Sequence, residues 1–310
     1  MIASVNKIID SSIVDGPGNR CAIFFQQCNF NCMYCHNPET INKCINCGQC
    51  VLKCPVNALE FKDNKVVWDS KKCINCDTCI KTCPHNASCK ISYMSVEQVY
   101  QKVRDNIPFI RGITTSGGEC TLHAQFIKEL FKLAKKDGLS TLMDSNGSYD
   151  FKNDTELMDV CDGIMLDIKA TNDEIHQKLC GITNKKVLDN ARYLSSIHKL
   201  EEIRTVCIPG YLNDKETIKD ISIILKDHLD EVTYKLIKYR HYGVREEYRY
   251  LNEPSDEYMQ ELKISSNEEI EQIVNKYDEL NDIGIKTTNF QFLSKVLIKT
   301  IVFTIILMIF

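Results

Sequence analysis

Eleven of the chain's 17 cysteines fall between Cys28 and Cys83, and eight of these form two copies of one pattern. The copies read Cys44-Ile-Asn-Cys47-Gly-Gln-Cys50-Val-Leu-Lys-Cys54-Pro55 and Cys73-Ile-Asn-Cys76-Asp-Thr-Cys79-Ile-Lys-Thr-Cys83-Pro84. A disulfide framework is not expected. The cysteine count is odd, and Met1 to Asp10 lack the charged start and long apolar run of a secretory signal. The spacing predicts thiolates that hold metal in a reducing, cytoplasmic setting. Residues 40–90 contain too few apolar side chains to fold without that metal.

Gaps of two, two and three residues closed by proline form the run that holds two 4Fe-4S clusters in bacterial ferredoxins. In that run the fourth cysteine of each copy serves the other cluster. On this rule Cys44, Cys47, Cys50 and Cys83 hold one cluster, and Cys54, Cys73, Cys76 and Cys79 the other. Such clusters either relay electrons or only fold the segment. Upstream, Cys28-Asn-Phe-Asn-Cys32-Met-Tyr-Cys35 supplies three thiolates within eight residues, just after an expected strand at Cys21–Gln26. Three cysteines on four irons leave one iron open to chelate a small molecule through an amine and a carboxylate. A zinc site completed by His36 is the competing reading, although zinc knuckles usually use two-residue gaps in paired hairpins. Cys89, Cys120, Cys161, Cys180 and Cys207 lack ligand spacing and read as small core residues or free thiols.

From residue 91 short apolar runs alternate with helical stretches. The runs lie at Gly112–Thr115, Ser140–Met143, Gly163–Ile168, Ile203–Ile208 and Val232–Ile237. With the strand before Cys28 they make six strand–helix units, which predicts a parallel sheet with its chemistry at the carboxyl ends of the strands. Ser116-Gly117-Gly118-Glu119 falls at such an end. It is either a plain turn or a close backbone approach to a ligand, with Glu119 ready to accept from an amine. Asp144 and Asp167 end the next two strands, beside Ser145, Asn146 and Lys169. They either cap helices or coordinate a cation or cofactor. Hydrophobic residues at 44%, charged residues at 26% and a net charge of −4 fit a globular protein and argue against a nucleic-acid partner. The apolar stretch Val296–Phe310 is short for a membrane span, which needs about 20 residues, and carries Lys299. A docked terminal helix or divergent tail is expected instead.

The three-then-two cysteine gap is the hallmark of radical S-adenosylmethionine enzymes. The wider set resembles the glycyl radical enzyme activating enzymes, from about Lys7 to Asn281. The pieces are Asp15-Gly-Pro-Gly-Asn-Arg20, the cysteine motif, Ser-Gly-Gly-Glu119, Asp144-Ser-Asn-Gly147, Met165-Leu-Asp167-Ile-Lys169, and Arg204 followed by Val206-Cys-Ile-Pro209-Gly210 and Asn213-Asp214. The double cysteine insert and Arg240-His241-Tyr242-Gly243-Val244 are most similar to the YjjW-like subgroup.

This resemblance implies an α/β fold: a partial (βα)6 TIM-like barrel (1–39 and 91–290), a ferredoxin-like insert (40–90) and an apolar tail (291–310). It implies three 4Fe-4S clusters and S-adenosylmethionine, held by Tyr34 and His36 beside the cluster, by Gly117, Gly118 and Glu119, by Asp167, Ile168 and Lys169, and by Arg204. Asp144, Ser145, Met165 and Asp167 correspond to a monovalent-cation site. Cys120 stands where Pro or Ala is commoner, and the family's last-strand His aligns with Arg240, one residue before His241. The implied activity is reductive cleavage of S-adenosylmethionine to a 5′-deoxyadenosyl radical, which takes hydrogen from a backbone glycine of a partner glycyl radical enzyme. A flavodoxin or ferredoxin would donate the electron. A radical enzyme acting on a small molecule or another peptide is the alternative. A bare electron carrier would not need the 220 residues after the insert.

Overall fold

The computed structural model describes residues 1–229 and 231–281. The apolar tail 291–310 and the end of the expected barrel region lie outside the described residues. The strands are β1 (Ile2–Ser12), β2 (Arg20–Phe25), β3 (Asn42–Lys43), β4 (Leu59–Lys62), β5 (Lys65–Trp68) and β6 (Ala87–Ser88). Six more follow: β7 (Ser92–Ser95), β8 (Gly112–Gly117), β9 (Ser140–Ser145), β10 (Gly163–Asp167), β11 (Leu200–Cys207) and β12 (Thr233–Lys238). The helices are α1 (Thr78–Lys81), α2 (Val96–Arg104), α3 (Ala124–Lys136), α4 (Thr155–Val160), α5 (Asp173–Cys180), α6 (Lys185–Ser196), α7 (Asp214–Leu225) and α8 (Asp256–Asn281). No helix among the described residues is long and apolar enough to cross a membrane.

The main sheet runs β12-β11-β10-β9-β8-β2-β1-β7. Its six strands from β2 to β12 are parallel, in sequence order, and match the six apolar runs. Helices between them cover one face. In α3, Phe126, Ile127, Leu130, Phe131 and Ala134 recur at helical spacing and are all buried against the sheet. Ser95 starts α2 with a reciprocal capping box to Gln98, so this helix has a defined origin.

Two strands of the main sheet were not anticipated. β1 pairs antiparallel with β2, and β7 pairs antiparallel with β1, which extends the sheet beyond its parallel part. The eleven-residue β1 lacks a continuous apolar run; Ala3 and Val5 are buried, but Lys7 and Asp10 are exposed. An edge of mixed polarity leaves little signal in composition.

Arg20 explains the motif that precedes β2. Its guanidinium is 1% exposed and donates to Thr114 Oγ1 at 2.7 Å, to the Ile113 carbonyl at 2.7 Å and to Ser140 Oγ at 2.8 Å. Thr114 Oγ1 in turn donates to the Asp15 carbonyl at 2.6 Å. The Asp15–Arg20 turn therefore ties together the amino-terminal ends of β2, β8 and β9, at the opposite end of the strands from the site.

Between β2 and β7 the chain makes an excursion. It leaves through β3 and returns through β6, and these two pair in parallel as a neck. Gln26 fastens the neck to the sheet by donating from Nε2 to the Glu39 and Asn42 carbonyls at 2.7 and 2.6 Å. The two cysteine copies share a backbone signature: Asn46 and Asn75 both adopt φ near +60°, as do Gly48 and Asp77 one residue past the next cysteine. Neither buried core cluster takes a residue between Tyr34 and Val96, and Ile45, Leu52 and Ile74 stay exposed. The segment's own buried apolar side chains are few, chiefly Ile41, Ala58, Leu59 and Ala87.

Candidate active site at the strand ends

The loop 28–35 is held at both ends. Gln27 N and Cys28 N donate to the Thr40 and Ile41 carbonyls at 2.9 and 3.0 Å. Farther on, Asn31 N and Met33 N donate to the Cys180 and Leu179 carbonyls at 3.1 and 2.8 Å. Those carbonyls belong to the last turn of α5, which would otherwise leave them without partners. Burial pushes the Cys28 and Cys35 thiols up to about 12. Cys32 is raised well above the usual range, first by its contact with Cys180 and then by burial. Three thiols on one eight-residue loop are a donor set that suits a metal cluster, whose charge would take the place of their protons.

Gly117 and Gly118 lie flat against the start of this loop. Gly117 has φ +125°, and a Cβ there would sit 2.2 Å from the Phe25 carbonyl oxygen; one on Gly118 would sit 2.2 Å from that of Gln27. Only glycine permits that approach. Glu119 has a different role from the one expected. It is 1% exposed, and Oε1 accepts from Thr121 N, Thr121 Oγ1 and Ser145 Oγ at 3.1, 2.6 and 2.9 Å. Oε2 accepts from Asn146 N at 2.7 Å. The chain itself fills this carboxylate, which joins the end of β8 to the end of β9 and is not free for an amine.

Asn146, so placed, points its amide at Cys28 Sγ, 3.7 Å away, and at Asn29 Oδ1, 2.9 Å away. On the next strand Asp167 pairs with Lys169 at 2.7 Å, and the Lys169 ammonium lies 5.8 Å from the centre of the Tyr34 ring. Burial opposes that ammonium, but Asp167, Tyr34 and Cys32 outweigh it and hold Lys169 well above the usual lysine range. The Tyr34 hydroxyl is buried without a hydrogen-bond partner among the described residues. An orphaned donor between a cysteine loop and a buried ammonium fits a polar ligand. Ile168 contributes no side chain to this space; it packs in the core, and its backbone N–H and carbonyl bond to the Arg204 carbonyl and Thr205 Oγ1.

The four residues of the expected cation site already have partners. Arg204 Nη1 is 3.0 Å from Asp144 Oδ2, and its Nη2 donates to Met165 Sδ at 3.0 Å. Ser116 also donates to Asp144. Ser145 gives its hydroxyl to Glu119, and Asp167 holds Lys169. Burial raises the Asp144 carboxyl, and the Arg204 charge offsets part of that. Cross-strand register brings the group together, because Met165 lies opposite Asp144 and Asp167 opposite Arg204. In this arrangement the guanidinium supplies the positive charge.

Neither Arg240 nor His241 reaches the cysteine loop with its side chain. Arg240 is exposed, and its carbonyl accepts from His36 Nε2 at 3.1 Å. The His241 ring turns away and donates to the Leu251 carbonyl at 2.8 Å. The basic residue that does arrive is Arg245, whose Nη2 donates to the Cys32 carbonyl at 3.0 Å. The reason is a tight turn at Gly243, φ +77°, where a Cβ would lie 2.3 Å from the His36 carbonyl oxygen. Sequence spacing missed Arg245 and the approach of Cys180, and placed Asn146 at a strand end without a role of its own; Cys180 Sγ lies 3.6 Å from Cys32 Sγ across 148 residues. No linear pattern links residues so far apart.

In the excursion, Cys44, Cys47, Cys50 and Cys83 line one cavity, while Cys54, Cys73 and Cys76 line another. Cys79 lines both.

The sequence profile of the Radical SAM superfamily matches residues 22–221. Pyruvate formate-lyase 1-activating enzyme of Escherichia coli (strain K12) is 30% identical over 278 residues, which span 85% of this chain and 94% of that protein. The chain belongs to the glycyl radical enzyme activating enzymes of the radical SAM superfamily. A putative glycyl-radical enzyme activating enzyme of Haemophilus influenzae is 29% identical across 78% of this chain and 84% of its own. Among solved structures, Streptococcus suis SuiB bound to the precursor peptide SuiA aligns with a TM-score of 0.51 and 12% identity, over 84% of this chain and 51% of that one. That last likeness concerns the fold alone. For this activating enzyme the matched span runs from β2 into α7 and includes the whole cysteine excursion.

Proposed function

We propose that this chain cleaves S-adenosylmethionine reductively and uses the product to remove a hydrogen atom from a backbone glycine of a partner glycyl radical enzyme. The observation that carries the reading is the convergence on loop 28–35: Asn146 from β9, Lys169 after β10, Cys180 from α5 and Arg245 beyond β12 all reach it. Cys28, Cys32 and Cys35 would hold the cluster with the open iron. When bound there, cluster and S-adenosylmethionine supply methionine and a 5′-deoxyadenosyl radical after one electron arrives.

The chain's own residues do the positioning. The Gly117–Gly118 turn would offer backbone to the amino-acid end of the cofactor, and Tyr34 and His36 would stand beside the cluster. Asp167 and Lys169 would meet the cofactor at the end of β10. Arg204 would release Asp144 if a monovalent cation entered beside Ser145, Met165 and Asp167. The partial barrel, 1–39 and 91–290, carries the reaction, and 40–90 carries two further 4Fe-4S clusters on the eight cysteines of its two copies. Cavities lined by Cys44, Cys47, Cys50 and Cys83, and by Cys54, Cys73, Cys76 and Cys79, support the exchange of fourth ligands that the ferredoxin rule demands. With this insert the chain fits the YjjW-like subgroup. A flavodoxin or ferredoxin would be the electron donor. Eleven thiolates on metal suit the reducing cytoplasm.

Glycine suits the role of target because its α-carbon carries no side chain to block approach. The test is anaerobic incubation with the partner enzyme, reductant and S-adenosylmethionine. A glycyl radical doublet should appear by electron paramagnetic resonance, and deuterium from glycine-labelled partner should enter 5′-deoxyadenosine. Label arriving from a small molecule instead would replace this reading with the small-molecule alternative.

A further inference from the structure

Cys89 falls outside both cysteine copies, yet it lies between them. β6 pairs in parallel with β3, Ser88 opposite Lys43, which sets Cys89 alongside Cys44 at the start of the first copy. Immediately after it, Lys90 pairs with Asp77 of the second copy at 2.5 Å, with the lysine largely buried. The thiol is thus clamped to both copies through its neighbours in sequence. Its Sγ lies 3.9 Å from Cys50 Sγ, and it lines one cavity together with Cys79. It lines the same cavity as Cys44, Cys47, Cys50 and Cys83.

Cys50 and Cys79 are the third cysteines of the two copies, so on the two-cluster reading, which this inference requires, they ligate different clusters. We infer that Cys89 is a reserve ligand shared by both clusters, able to take over the iron of Cys50 or of Cys79. The distances allow it. One rotamer step swings a cysteine sulfur by about 3 Å, close to the separation from Cys50. Metal binding requires only that the Cys89 S–H give up its proton as the Fe–S bond forms, which needs no oxidant or reductant. Four ligands are already present for each cluster, so the ninth thiol is not needed while all eight are in place.

The test counts iron in the full-length anaerobic protein and follows the reduced clusters by electron paramagnetic resonance. The wild type and Cys89→Ser should both carry about 12 irons per chain, from three four-iron clusters. Cys50→Ala should keep about 12, with an altered signal from one cluster, whereas Cys50→Ala combined with Cys89→Ser leaves that cluster three thiolates, so its fourth iron should be labile and mild oxidation should add a three-iron signal that the single variant lacks. The same pair of variants built on Cys79→Ala should behave alike. Loss of a cluster in both single variants, or the same oxidised signal from each single variant and its double, overturns the inference. So does failure of both single variants to yield folded protein, since a working reserve ligand would keep the segment assembled. A wild type with about 4 irons overturns the two-cluster reading itself, before any variant is compared.

Discussion

Glu119 illustrates how one buried carboxylate supports a site it does not enter. Its two oxygens accept from Thr121, Ser145 and Asn146, and Asn146 then presents its amide to Cys28 and Asn29. A glutamine keeps one acceptor oxygen but turns an amide N–H toward groups that are themselves donors. Leaving buried donors unpaired costs about 1–3 kcal/mol. Glu119→Gln is therefore expected to lower the stability of the anaerobic protein by about 2 kcal/mol in denaturant titrations. It should also shift the resonance of the Cys28 cluster, because Asn146 loses its anchor. The motif was legible as a strand-end turn, but the target of its carboxylate was not. A Gly-Gly-Glu string says that backbone approaches something closely. It does not say whether that something is a ligand or, as at Phe25 and Gln27, the chain itself.

Elements are coupled by equally local groups. α7 and α8 meet where Tyr258 donates to Asp214 Oδ2 at 2.7 Å, beside Met259 and Leu262 packed on Cys207 and Ile218. Asp214 is 2% exposed, and its other oxygen has no partner among the described residues. Burial raises its carboxyl from 3.8 to about 6, with the Tyr258 bond opposing. A raised carboxyl binds its proton more tightly folded than unfolded. Its contribution to stability is present below about pH 4 and is lost as pH rises through about 6. Asp214→Asn should remove that segment of the pH profile and gain on the order of 2 kcal/mol at neutral pH relative to wild type. Thermal unfolding at pH 4, 5, 6 and 7 measures the difference between the two proteins.

At the scale of the whole molecule, the excursion is attached where the reaction would occur. Its neck bonds to Gln26 and to the Gln27–Cys28 backbone, at the root of the cysteine loop. On that placement we propose that the excursion relays electrons rather than serving structure alone. Changing Cys76, an exposed cysteine of the second copy, to Ala should slow turnover several-fold more with a protein donor than with a small reductant. Single-turnover assays with each donor separate the cases. Equal slowing with both, in a folded variant, would assign the accessory clusters to structure alone.

The sequence by itself determined the parallel six-strand frame, the family and the cysteines that could hold metal. Each of these is written in short-range order: alternating runs, glycine turns and thiols within a few residues of one another. Tertiary structure alone decided the antiparallel edge formed by β1 and β7, and that the Asp15–Arg20 turn braces the far end of the strands. It also decided that Arg245 rather than Arg240 or His241 meets the cysteine loop, and that Arg204 lies between Asp144 and Met165. The same holds for Cys180 beside Cys32 and Cys89 between the two cysteine copies. These contacts join residues tens to hundreds of positions apart, and their partners are set by strand register and by where a turn such as Gly243 reverses the chain. A linear pattern records neither.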